Sequence, residues 1–140
     1  MNKIALALGA VLLAALPTGT AFPTPAPAPQ PVPEAHLQLT ATRTVHGIES
    51  TRFAWLDCPA PHLTPKHPSH PHHTSACTDL AVAHGDLDHL PGHTTAICSN
   101  DAAQITVTAN GVYDDRAVHW QHTYDDDCHL TLATGQVFDF

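Results

Sequence analysis

Lysine and arginine are scarce in this chain, five residues in 140 against thirteen aspartates and glutamates. The four beyond residue 21, Arg43, Arg52, Lys66 and Arg116, are scattered. Nucleic acid and anionic lipid surfaces need their phosphates met by clustered cations, so neither is an expected partner, and basic proteins or neutral surfaces are favoured. Close C-x-x-C pairs, the spacing of structural zinc sites, are also missing, which argues against a cysteine-held metal. There is no nucleophile elbow and no second domain to form a cleft, so the abundant Ser, His and Asp side chains do not add up to an enzyme. Long hydrophobic runs are absent too. The one candidate, Ile4 to Leu16, falls short of the ~20 apolar residues that span a bilayer.

That short run has a different use. Asn2 and Lys3 precede it, and Gly19-Thr20-Ala21 puts small residues where a signal peptidase reads, so residues 1–21 read as a signal peptide cleaved after Ala21. Export removes Lys3 and leaves four basic against thirteen acidic residues, hence a formal charge near −9, with no membrane attachment. Residues 22–34 form a tail in which Pro23, Pro25, Pro27, Pro29, Pro31 and Pro33 alternate with other residues. Such a stretch lacks amide donors and apolar bulk, and reads as a disordered, extended polyproline II spacer. The folded domain is expected over residues 35–140. Its four cysteines, Cys58, Cys77, Cys98 and Cys128, are an even count in an exported chain and point to two disulfides, in any of three pairings.

Within the domain, alternation predicts a strand from His36 to Val45, with Leu37 and Leu39 on one face and Gln38 and Thr40 on the other, then a turn at His46-Gly47. A second strand, Thr51 to Cys58, carries Phe53 and Trp55, both read as core, and stops at Pro59. A helix is predicted from Ser75 to His84, capped by Thr74 or Ser75, with the stripe Ala76, Leu80, Ala83 and a stop at Gly85. Asp86 caps a short further turn to Leu90. Ile105, Val107 and Ala109 mark a strand from Gln104 to Ala109; Asn110-Gly111 through Arg116 reads as a turn, and Ala117 to Tyr124 as the returning strand with Val118 and Trp120 on one face. A last short strand, Gln136 to Phe140, buries Val137 and Phe138 or Phe140. The expectation is an α+β domain with a five-stranded antiparallel sheet and one or two helices.

Two stretches carry candidate function. Ile97, Cys98, Ser99, Asn100, Asp101, Ala102 and Ala103 form a short polar loop starting at a cysteine and running into a strand, and a loop tied at both ends is a rigid binding surface. The segment from Pro59 to Thr74 is rich in histidine, including His67, His70, His72 and His73. Neutral imidazoles can hold Zn, Cu or Ni, but a proline-broken segment fixes no ligand geometry, so no cofactor is expected and these four are weak candidates only. His89 and His93 are separated by Pro91 and cannot share a helical face. His119 and His122, three apart in a strand, should lie on opposite faces.

From about Leu37 to Phe140 the chain resembles the Streptomyces subtilisin inhibitor family of secreted, dimeric serine protease inhibitors. The likeness rests on Leu37-x-Leu-Thr, on His70-Pro71 followed by Ala76-Cys77-Thr78-x-Leu80, on Gly85-Asp86, on Ile105-Thr-Val-Thr followed by Asn110-Gly111-Val112-Tyr113, and on the terminal Val137-Phe-Asp-Phe140. It implies a sheet with two helices packed on one side, bridges Cys58 to Cys77 and Cys98 to Cys128, and a homodimer formed through the sheet. It also implies a partner, an extracellular subtilisin-like protease, bound substrate-fashion by the Cys98 loop. The reactive bond would be Asn100 to Asp101, with Asn100 in the primary specificity pocket and Ile97 in an apolar subsite upstream. Asn100 stands where the family usually has a large apolar or basic residue, Asp101 adds a charge beside the catalytic centre of the protease, and Asp126 stands where the family commonly has asparagine. The alternative is a binding module on the same fold, its loop decayed and its histidines taking up metal.

Overall fold

The computed structural model describes residues 33–59, 67–95, 97–99 and 103–140. Four strands, β1 (Ala35–Val45), β2 (Ile48–Cys58), β3 (Gln104–Tyr113) and β4 (Arg116–Tyr124), form one antiparallel sheet in the order β2-β1-β3-β4. Two helices, α1 (His73–Val82) and α2 (Asp127–Thr134), and a 3-10 turn at Leu87–His89 complete the α+β domain.

β1 is the centre of the core because its alternation is strict. Leu37, Leu39 and Ala41 are buried, facing Leu56 and Ala54 of β2 and Gly111, Ala109 and Val107 of β3. Ala76 and Leu80 of α1 and Leu130 of α2 join the same apolar cluster, so both helices cover one face of the sheet. The other face is open and threonine-rich. Thr40 pairs with Thr108 at 2.6 Å, Thr42 with Thr51 and Thr106 with Thr123, both at 2.9 Å, cross-strand pairs of roughly 0.2–1 kcal/mol each.

Phe53 and Trp55 are not in the core. Phe53 lies opposite Thr40 and Trp55 opposite Gln38, so strand parity puts both on the open face, while Ala54 and Leu56 take the core positions. Phe53 is 51% exposed, and Trp55 is half-buried under the stacked ring of His36, 4.6 Å away. The segment after β2 returns to this edge, where Trp55 N donates to Pro68 O and His70 N to Trp55 O, each at 2.9 Å.

Asn110-Gly111 is not a turn either. β3 runs on to Tyr113, and the hairpin turns at Asp114-Asp115, whose φ values of 49° and 60° match the left-handed pair of a tight hairpin. Gly111 is needed for close approach: a Cβ there would sit 2.0 Å from the His36 carbonyl oxygen. His119 bonds Asn110 across the open face and His122 stacks with Trp120 on the core side, on opposite faces as their spacing predicts.

The helices depart from expectation at their ends. α1 begins at His73, ahead of Thr74 and Ser75, and neither caps it; Ser75 Oγ donates to the His72 carbonyl instead. The expected terminal strand is a turn: Val137 N donates to Thr134 O at 3.2 Å and Asp139 N to Gln136 O at 3.3 Å, leaving no extended ladder. Val137 and Phe138 are nonetheless buried. Among the described residues the sheet therefore has four strands, not five.

Candidate functional site

Both disulfides pair as the resemblance implies, Cys58 with Cys77 and Cys98 with Cys128. The second fastens the loop to the first turn of α2. That turn is itself held by Asp126, 4% exposed, whose Oδ1 accepts from His129 N at 2.8 Å and His129 Nδ1 at 2.9 Å. The bond from the His129 backbone amide, helped by its ring, holds the Asp126 carboxyl below the usual carboxylate range despite desolvation. An ionised cap therefore sits at the positive end of the helix that anchors Cys98.

Downstream, Ala103 is buried and Gln104 enters β3 opposite Thr44. Upstream, His93 N donates to Leu132 O of α2 at 3.1 Å. Between these supports Ile97 is fully exposed, Cys98 is half-buried and Ser99 is exposed. Asn100, Asp101 and Ala102, the tip and its expected reactive bond, lie outside the described residues. The upstream contact was not foreseen; its only sequence signal is Pro91-Gly92, which reads as a helix breaker.

The candidate histidine ligands go to separate partners. His70 is 3% exposed; its Nε2 donates to Val137 O and its Nδ1 accepts from His72 N, both at 3.1 Å, so both ring nitrogens are occupied. Burial pushes its pKa down, and it serves as a neutral pin for the C-terminal segment. His72 Nε2 lies 3.4 Å from Asp139, His73 Nε2 donates to the Asp57 carbonyl at 2.5 Å, and His67 lies against Trp55. The cluster of Cys98, Asp126 and Cys128 has metal-ligating residue types within 4.8 Å of one another, but its two sulfurs are bonded to each other and offer no thiolate.

The open face of the sheet is the second candidate surface. Phe53 and Val112, 44% exposed, lie on it with Gln38, Thr40, Thr108 and Asn110. No helix among the described residues is long and apolar enough to cross a membrane.

Comparison with known proteins agrees with this architecture. The family described as Subtilisin inhibitor-like matches residues 33–126. A Streptomyces avermitilis protein provisionally named a serine protease inhibitor is 33% identical over 138 residues, covering 99% of this chain and 89% of that one. Protease inhibitor SIL-V5 of Streptomyces luteoverticillatus is 37% identical over 73 residues, covering 51% of this chain and 68% of that one. Among solved structures, Streptomyces caespitosus sermetstatin in complex with Bacillus licheniformis subtilisin aligns with a TM-score of 0.55 and 25% identity, covering 77% of this chain and 99% of that one.

Proposed function

Because the chain belongs to the subtilisin inhibitor-like family, we propose that it is an exported inhibitor of subtilisin-like serine endopeptidases, not an enzyme, and that it offers residues 97–103 to the protease as a substrate would. The observation that carries this reading is the fixing of the loop from both sides: Cys98 to α2 by a disulfide, and Ala103 to the core at the start of β3. Ile97 stands fully exposed beside the anchored sulfur, where an enzyme can reach it.

The chemistry follows from that geometry. A serine protease attacks a correctly placed carbonyl with its serine and stabilises the resulting tetrahedral intermediate in an oxyanion hole. An inhibitor loop already held in the required form loses little conformational freedom on binding, so it binds tightly. If the bond after Asn100 is cut, the Cys98–Cys128 bridge and β3 keep the new amine beside the acyl group, and religation competes with hydrolysis. Asn100 enters the primary pocket and Ile97 the apolar subsite upstream. The mature protein starts at residue 22 after loss of a signal peptide, carries its proline-rich tail outside the cell, and dimerises through the open sheet face. The exposure of Phe53 and Val112 on a face otherwise rich in polar side chains supports that choice of face.

The test is a titration of subtilisin with the purified domain. Loss of activity in proportion to inhibitor added is expected; turnover of the domain as a plain substrate, with no inhibited complex, would refute the reading.

A further inference from the structure

We propose that the loop is clamped at two points on α2, the second independent of the disulfide, and that Gly92 and Asp79 are positioning residues for protease binding through that second clamp. This rests on the inhibitor reading above.

The second clamp arises from how α2 ends. Were the helix to continue, Gln136 N would donate to the carbonyl of Leu132, four residues back. Gly135, at φ +57°, turns the chain away instead, and Gln136 N donates to Asp79 Oδ2 of α1 at 3.0 Å. Leu132 is left with a carbonyl lacking its helical partner, and His93 N of the loop takes it at 3.1 Å. Gly92 makes this approach possible, since a Cβ there would sit 1.9 Å from Leu132 O. Gly135 shares the crowding: its Cβ would fall 2.7 Å from Asp79 Oδ2 and 3.6 Å from Gly92 Cα. The Gln136 side-chain amide adds a bond to His93 Nε2 at 3.2 Å. Asp79 receives the amide that Gly135 has turned away, and so holds the end of α2 in the shape that leaves Leu132 O facing the loop.

The two clamps share one rigid element. Cys128 and Leu132 are one turn apart, about 6 Å along the axis, whereas the chain from His93 to Cys98 could reach roughly 17 Å if extended. Ile97, close to the disulfide foot, is fully exposed. With the disulfide alone the chain upstream of Cys98 would have no tie to α2, whereas with both clamps His93 and Cys98 are each fixed to the same helix.

The experiment measures Ki and the rate of loop cleavage by subtilisin, the melting temperature, and amide exchange at His93, for the full mature domain and four variants. Asp79→Ala is expected to weaken inhibition roughly two- to tenfold, the range for one lost hydrogen bond, and to speed both cleavage and His93 exchange. Asp79→Asn, which keeps an acceptor for Gln136 N, should restore all three. Gly92→Ala should be at least as severe as Asp79→Ala. Leu56→Ala, in the core away from the loop, should lower the melting temperature with Ki unchanged at a temperature where the domain is folded. If Asp79→Ala and Gly92→Ala behave as Leu56→Ala does, the clamp is only structural and the proposal is wrong. Should the wild type inhibit nothing, the inhibitor reading fails by itself, and the clamp stands or falls on whether Asp79→Ala, unlike Leu56→Ala, accelerates His93 exchange.

Discussion

Removing the two disulfides one at a time separates stability from function, because they close loops of similar length in different places. Cys98 and Cys128 are 30 residues apart, and Cys58 and Cys77 are 19 apart. The chain-entropy relation gives about 3.6 kcal/mol for the first bridge and about 3.2 kcal/mol for the second. Paired Ala variants of either should therefore lose similar stability, a fall of roughly 15 to 25 °C in Tm for a domain of this size. Their effects on inhibition should diverge. The Cys98/Cys128 variant frees one foot of the loop and should bind subtilisin at least tenfold more weakly and be cleaved faster, since a mobile loop must lose its freedom on binding. The Cys58–Cys77 bridge ties β2 to α1 away from the loop, so the variant lacking it should keep its Ki wherever it remains folded. Urea unfolding followed by inhibition assays at matched fraction folded makes the comparison. Equal losses of inhibition in the two variants would show that overall stability, not local fixing of the loop, sets the affinity.

Other expectations follow from particular residues. Asn100→Leu or Asn100→Met should tighten binding to subtilisin, and Asp101→Ala likewise, as measured by Ki; unchanged affinities would mean that another loop makes the contact. His70 has a folded pKa below its ordinary value, so the unfolded chain takes up a proton first as pH falls. Its contribution to stability is then complete above about pH 6.5 and lost progressively below it, and denaturation midpoints for wild type and His70→Gln should converge as the pH is lowered through that range. Phe53→Glu, placing a charge on the open face, should shift the domain from dimer to monomer in sedimentation; an unchanged dimer would place the interface elsewhere.

Much of the frame was legible in the residues because one periodicity settles it. The alternation of Leu37, Leu39 and Ala41, and of Ile105, Val107 and Ala109, marks the buried face of two central strands without ambiguity. β2 was harder to read, since its aromatics look like core while its small residue Ala54 is what fits against Leu39. Only the register decides between them. α2 gave little signal: it is eight residues long, buries only Leu130 and Thr134, and its cap Asp126 is followed three residues on by His129 rather than by Glu or Gln. The loop's disulfide support came from the cysteines, and the pairing from the family likeness. The upstream clamp was invisible because it is a meeting of backbones, Gly92 with Leu132, between residues far apart in the chain. Close approach leaves no mark in sequence beyond a glycine, and Gly92 reads equally well as a breaker.

The most direct test of the account is to identify the bond that subtilisin cuts during prolonged incubation with an excess of the mature domain. Mass spectrometry should find the inhibited complex, slow cleavage at one place, between Asn100 and Asp101, and the two pieces still joined through Cys98 and Cys128. Rapid cleavage at several sites, or a stable inhibited complex whose slow cut lies outside residues 97–103, would contradict it.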